Sequence, residues 1–247
     1  MKKGRVFICG AGPGDPKLIT LRALELLKTC DAVLYDRLVS KEIIDQIPKG
    51  AEKVYVGRTV GDPATHQDRT NELMAKHAKK GKNVLRLKGG DPFIFGRGAE
   101  EAEYLIRHGI KFEIVPGITS AIASPAYAGI PLTHRRLSSS VAIVTGHEGA
   151  EKDELAVRWD RLAGAVDTIV VLMGIGQIDQ ISRDLVKAGM KKSTRVAIVA
   201  SGTTDKQRIV RGTLATIAGI AKEAHVKPPA VIVIGKVAGL DSLEWFR

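Results

Sequence analysis

Residues 6–20 read VFICGAGPGDPKLIT, an apolar run that breaks at once into glycine, proline and aspartate. Apolar residues delivered straight into glycines are the pattern of a buried strand ending in a tight turn, and in open α/β sheets ligands approach the carboxyl ends of the strands. Asp15 limits what such a ligand is. A dinucleotide fingerprint G-x-G-x-x-G beginning at Gly10 would need glycine at 15, where this chain sets a carboxylate against the expected pyrophosphate. The phosphate loop G-x-x-x-x-G-K-[ST] occurs nowhere in the chain. A phosphate ligand is therefore disfavoured, and a plain strand-to-helix connection competes evenly with a binding turn.

The rhythm of the first stretch recurs. Apolar runs at 6–9, 32–35, 54–56, 84–87 and 112–115 alternate with helical patterns, which predicts a mostly parallel sheet with crossover helices. In TLRALELLKTCD, Leu21, Leu24 and Leu27 share one helical face, and Thr20 is placed to cap its start. Two further helical stretches stop at Gly81 and Gly109. A fresh series opens with VAIVTG at Val141 and continues with TIVVLMG at Thr168, RVAIVASGTT at Arg195 and PAVIVIGKV at Pro229. The expected architecture is two α/β domains, residues 1–115 and 116–247, without an internal sequence repeat. Ligands in such proteins favour domain interfaces and strand ends, where GAGPGD, KGGDPFIFGRG, PGITSA and MGIGQ accumulate.

With 247 residues, 44% apolar and 26% charged, the composition is that of ordinary globular protein. No apolar run approaches the ~18 residues of a membrane span, so a soluble, cytoplasmic protein is expected. Cys9 and Cys30 give no disulfide framework and read as packing residues. The six histidines, at 66, 77, 108, 134, 147 and 225, include no pair at ligand spacing, and no metal is expected. The net charge of +11 draws polyanions. Aromatics at 4% leave no stacking platform for single-stranded nucleic acid, so a polycarboxylate small molecule and a merely solvated basic surface remain.

In LRLKGGDPFIFGRGAEEAEYL, residues 85–105, Gly89 and Gly90 let a ligand touch backbone while Asp91 supplies a fixed negative charge. Together with Asp15 this suits a cationic, hydroxyl-rich ligand. S-adenosylmethionine, with its sulfonium, ammonium and ribose hydroxyls and an adenine for an apolar pocket, fits that chemistry.

Five blocks carry a wider likeness: GAGPGDPKLITLRA, YDRLVS, KGGDPFIFGRGAEE, VPGITSAIASPAYAGIPLTHR and PPAVIVIGKV. At similar spacing, from about Val6 to the end, they resemble the tetrapyrrole methylase family, and within it the branch that methylates uroporphyrinogen III. GDPFIFGRG and GIPLTHR set that branch apart from relatives sharing only the fold, such as ribose methylases of ribosomal RNA and diphthine synthase. The resemblance implies two α/β domains of the tetrapyrrole methylase type with the active site in the cleft between them, assembled as a homodimer. It also implies C-methylation of uroporphyrinogen III at C2 and C7 to precorrin-2, with S-adenosyl-L-methionine as donor and S-adenosyl-L-homocysteine as product. The octacarboxylate substrate would account for the positive excess, and no nucleic acid or membrane partner is expected. Some relatives are fused to a dehydrogenase and ferrochelatase module, for which this chain has no room, so it is expected to stop at precorrin-2.

Carried over residue by residue, the family's donor contacts fall on Pro13, Gly89, Gly90, Asp91, Ile94, Thr119, Ser120, Met173, Gly202 and Ala230. Asp36, in LYDRLVS, matches the family's proposed proton acceptor; a turn carboxylate paired with Arg37 or another basic residue is the competing reading. Where relatives carry a lysine in V-G-K as a proton donor, this chain has Arg58 in YVGRTVGDPATHQ. Arginine keeps its charge but binds a carboxylate through two hydrogen bonds, so Arg58 is expected to hold substrate. Arg97, Arg135 and Arg136 are further candidates for substrate carboxylates, and His134 reads equally as a buried, hydrogen-bonded side chain or a substrate contact. A methyltransferase of later corrin intermediates and an RNA-modifying enzyme of the same fold are the rivals.

Overall fold

A computed structural model describes residues 4–57, 65–146, 157–243 and 245–246. It divides into two compact units, Met1–Thr119 and Ser120–Arg247. The division falls after Thr119 rather than after residue 115, because the Gly117 N–H donates to the Asp91 carboxylate at 3.0 Å and ties that turn to the first unit.

The first unit is a five-stranded sheet of β1 (Arg5–Gly10), β2 (Ala32–Tyr35), β3 (Glu52–Tyr55), β4 (Val84–Lys88) and β5 (Lys111–Val115). The order is β3-β2-β4-β1-β5, and every pair is parallel. Val6 to Cys9 are all buried, as an interior strand covered on both faces requires. The edge strand β3 instead begins with exposed Glu52 and Lys53, charges that discourage pairing with another chain.

Four helices cover the faces: α1 (Leu21–Thr29), α2 (Lys41–Ile44), α3 (Thr65–Lys79) and α4 (Gly98–Arg107). The Thr20 hydroxyl accepts from the Ala23 N–H at 3.2 Å and starts α1. Phe7, Cys9, Leu85 and Leu87 pack on Leu26, Leu27 and Ile43 of α1 and α2. Val6, Ile8, Leu34 and Val84 pack on Met74 and Ala75 of α3 and on Ala102 and Leu105 of α4. Burying each such large aliphatic side chain contributes about 1.5–3 kcal/mol. The two-residue pleat that sends Val84 toward α3 and α4 sends Arg86 and Lys88 the same way. Cys9 and Cys30 are free thiols inside the core, and burial pushes the Cys30 thiol up to about 11, which leaves it unreactive.

The second unit runs α5 (Ser120–Tyr127), β6 (Val141–Thr145), α6 (Trp159–Leu162), β7 (Thr168–Leu172), α7 (Ile178–Lys187), β8 (Arg195–Ala200), β9 (Arg208–Thr213), α8 (Ile217–Glu223) and β10 (Ala230–Gly235). Its sheet has the order β6-β7-β10-β8-β9; β6 and β7 are parallel and the other pairs antiparallel. The strand β9 lies outside the expected series, because Arg208, Arg211 and Gly212 interrupt its apolar pattern. Ile169, Val171, Ile198 and Ile232 meet Ile181 and Leu185 of α7 and Ile217 of α8 in one apolar core.

The turns at the ends of β1, β4 and β5 meet without side chains. A Cβ on Gly10 would lie 2.4 Å from the Gly90 oxygen and 2.6 Å from the Gly117 Cα, both backbone atoms. Gly10→Ala is therefore expected to destabilise the protein by about 1–3 kcal/mol, read as a lower urea midpoint at unchanged slope. An unchanged midpoint would contradict the contact.

Candidate functional site

In the first unit the loop after β1 and the loop after β4 form an antiparallel bridge. The Gly90 N–H donates to the Gly12 oxygen at 2.7 Å, and the Gly12 N–H to the Gly90 oxygen at 3.3 Å. Gly12 and Gly90 have φ of +83° and +70°, conformations open to glycine. The Asp15 carboxylate accepts the Lys17 N–H at 2.9 Å and caps a single turn at Pro16–Leu18. Asp91 accepts the Phe93 N–H on Oδ1 at 2.8 Å and the Gly117 N–H on Oδ2 at 3.0 Å. Its expected negative charge is thus fixed by two backbone donors, and each oxygen keeps a further lone pair.

Pro13, Gly89, Gly90 and Asp91 are half-buried around this bridge, and Thr119 closes the unit. Ile94 is exposed beside Phe93 and Phe95, an apolar tip at the start of the α4 approach. Phe95 and Arg97 have φ of +52° and +58°, a strained backbone for side-chain-bearing residues.

The second unit holds the remaining expected donor contacts. Ser120 opens α5. Met173 follows β7 at φ +55° with more than half of its surface exposed, unusual for methionine on both counts. Val231 pairs with Leu172, so Ala230 and Met173 are each one residue beyond that pair, at the same end of the sheet. Gly202 lies on α5, where a Cβ would come within 2.4 Å of the Ser124 Cβ.

Asp36 directly follows β2, its side chain a quarter exposed, and its Oδ1 accepts from Arg86 Nη2 at 2.7 Å. The partner anticipated by the competing reading is therefore Arg86, on the neighbouring strand, rather than Arg37. Arg86 also donates from Nε to Glu101 Oε1 at 3.0 Å and from Nη1 to the Leu87 carbonyl at 3.3 Å. Lys88 Nζ and Gln67 Nε2 reach the same Glu101 oxygen at 2.8 and 3.1 Å. Glu101 is fully buried, and the Arg86 and Lys88 side chains are 4% exposed. Burial opposes ionisation of Glu101, but Arg86 and Lys88 outweigh it and hold the carboxyl below its ordinary range. Burial and then the Arg86 charge hold the Lys88 ammonium below its ordinary value, against the pull of Glu101.

Arg86, Lys88 and Glu101 were not among the expected site residues. The signal available was two cations inside the buried strand LRLK. Arg58 lies outside the described residues. Arg97 pairs with Glu100 at 3.2 Å on the surface, and half-buried His134 accepts the Arg136 N–H at 3.2 Å within a turn. Among the described residues no group of three His, Cys, Asp or Glu could hold a metal, and no helix is long and apolar enough to cross a membrane.

The family model for Tetrapyrrole (Corrin/Porphyrin) Methylases matches residues 5–218. This chain belongs to the tetrapyrrole methylase family. The S-adenosyl-L-methionine-dependent uroporphyrinogen III methyltransferase of Methanosarcina barkeri is 48% identical over 240 residues, covering 97% of this chain and 94% of that one. The uroporphyrin-III C-methyl transferase of Thermus thermophilus, solved with S-adenyl homocysteine, is 40% identical with a TM-score of 0.81, covering 96% and 94% of the two chains. A cobalt precorrin-4 methyltransferase of cobalamin biosynthesis is 32% identical with a TM-score of 0.84, covering 96% of each chain. Backbone likeness is thus as high for a corrin-acting member as for a uroporphyrin-acting one, while identity favours the latter.

Glu101→Gln leaves Arg86 and Lys88 without their shared anion and is expected to cost about 3–5 kcal/mol near neutral pH. Because the folded carboxyl is held below 4.5, the stability it contributes is present above that value and is lost as pH falls through the folded one. Between 4.5 and the folded value the gap to the unaltered chain should narrow by about 1.4 kcal/mol per pH unit. Urea unfolding across the acid range measures it, and a gap independent of pH would contradict the pairing.

Proposed function

We propose that the protein transfers methyl groups from S-adenosyl-L-methionine to C2 and C7 of uroporphyrinogen III, giving precorrin-2. The observation that carries this reading is the side-chain-free meeting of Gly10, Gly90 and Gly117 beside a backbone-anchored Asp91. Such a cradle offers backbone amides and carbonyls to an adenosyl group, a carboxylate to its hydroxyls or ammonium, and an apolar tip at Ile94. It fits the donor, and the related Thermus enzyme was solved with the corresponding product. The kinship with a uroporphyrinogen III methyltransferase supports the substrate.

When bound, the donor supplies a methyl group on a sulfonium whose thioether is already a good leaving group. The chain's own contribution is then chiefly alignment. Pro13, Gly89, Gly90, Asp91, Ile94 and Thr119 in the first unit, and Ser120, Met173, Gly202 and Ala230 in the second, are the residues we assign to donor binding. Asp36 takes the proton that the methylated pyrrole carbon must lose; Arg86 anchors its Oδ1, and part of the carboxylate stays open to solvent. Arg58 binds a substrate carboxylate, and the excess of cations concentrates the polyanion. The reading includes a homodimer working in the cytoplasm, where free thiols such as Cys9 and Cys30 persist.

The test is anaerobic incubation with methyl-labelled donor and uroporphyrinogen III, followed by mass analysis of the oxidised product. Two methyl groups per macrocycle are expected. Donor binding without transfer would overturn the substrate and point to later corrinoids. Asp36→Asn should lower kcat about 100-fold or more with donor KM unchanged. Arg58→Ala should raise the substrate KM by about tenfold or more, the loss of a charge-assisted hydrogen-bond pair. A drop in kcat alone would instead give Arg58 a role in proton transfer.

A further inference from the structure

We infer that Glu101 and Lys88 are positioning residues for Asp36, acting through Arg86 to fix its carboxylate and to balance the charge that faces it. The inference rests on the reading that Asp36 accepts the substrate proton. The guanidinium is held at three points, by Asp36 at 2.7 Å, Glu101 at 3.0 Å and the Leu87 carbonyl at 3.3 Å. It has no freedom to follow a wandering carboxylate, so Asp36 is placed by a group that Glu101 and β4 immobilise.

Stability alone gives a poor account of this arrangement. A buried ion network is often no more stable than well-packed apolar side chains of similar volume. Here the hydrogen bonding is also lopsided: Oε1 of Glu101 accepts from Arg86, Lys88 and Gln67, while Oε2 is buried without a partner among the described residues. What the network does achieve is neutrality around one half-open carboxylate.

Among the described residues, the charged network that reaches Asp36 has these members. From β4 come the cations Arg86 and Lys88, and from α4 the anion Glu101. From α3 the neutral amide of Gln67 donates to Glu101 at 3.1 Å and to Asn71 at 3.4 Å, and the Tyr55 ring of β3 lies 5.7 Å from that of Tyr35, the residue before Asp36. Removing the Glu101 charge leaves two cations facing one carboxylate. Removing the Lys88 charge leaves two carboxylates sharing one guanidinium. The two changes push the field at Asp36 in opposite directions, and removing both charges restores balance.

The experiment is the pH dependence of kcat for methyl transfer in Glu101→Gln, Lys88→Met and the double variant, with folding checked by circular dichroism. In Glu101→Gln the acid limb is expected to move down by about one pH unit, and kcat to fall about tenfold because the base is weaker. In Lys88→Met the limb is expected to move up. The double variant returns toward the unaltered profile, and donor KM stays within about twofold throughout, since a positioning defect appears in kcat. If Glu101→Gln does not fold, Lys88→Met and the double variant decide by themselves. Unmoved limbs, or limbs of Glu101→Gln and Lys88→Met that move in the same direction, overturn the inference while leaving the proposed function intact. Absence of methyl transfer by the unaltered chain overturns both.

Discussion

The contact of Gly10, Gly90 and Gly117 sets the terms for everything at the carboxyl end of the first sheet. Three neighbouring strands deliver their turns to one place, and a single Cβ at Gly10 or Gly117 would push backbone against backbone. Because nothing intervenes, Asp91 reaches the Gly117 N–H across 26 positions of sequence, and Gly12 and Gly90 pair antiparallel at the end of parallel strands. The surface so produced is made of peptide groups rather than side chains. It is also poor in the features that bind phosphate, since Asp15 uses its carboxylate to cap the turn that a phosphate would need free.

The second constraint is charge inside the central strand. The strand β4 has neighbours on both sides and helices on both faces, and all five of its residues are buried, yet two of them are cations. An isolated buried charge is prohibitive, so Arg86 and Lys88 oblige a buried anion on the helix that covers them, and Glu101 is that anion. Arginine rather than lysine at 86 matters, because only a planar fork reaches Glu101, Asp36 and a carbonyl together. The core of the first unit and the position of Asp36 are therefore parts of one electrostatic problem.

Much of this was legible in the sequence. The apolar runs of β1, β2 and β4 coincide with the strands because interior parallel strands need unbroken apolar stretches. The edge strand β3 begins earlier than its apolar residues suggest, since Glu52 and Lys53 are strand residues that face solvent. The strand β9 was hidden because its alternation includes arginines: exposed Arg208, which donates to the Ala224 carbonyl beyond α8, and Arg211, which donates to the carbonyls of Ala128 and Ala238. Thr20 was recognisable as a cap because its partner is three residues away. The partner of Asp36 was not, because Arg86 is 50 residues distant and only the β2–β4 pairing brings them together. Glu101 is intermediate: Gly98, Ala102 and Leu105 define the buried face of α4, and Glu101 falls on it while Glu100 does not. Helical spacing puts Glu101 on that face, but which cations meet it is settled only by the packing of α4 on β4.

Fold and substrate are separable in this family for a physical reason. Methyl transfer from a sulfonium asks the protein mainly to hold two carbons in line, so a backbone cradle serves any acceptor. What distinguishes one acceptor from another is the disposal of its carboxylates and of the proton lost after transfer, and those tasks fall to side chains outside the cradle. In this chain Asp36 is such a side chain, and its partner Arg86 cannot give up a proton. The Arg86 guanidinium is shared between Asp36 and the buried Glu101, which Lys88 also pairs. The charge balance behind that carboxylate is thus set from within the core, by Glu101 and Lys88.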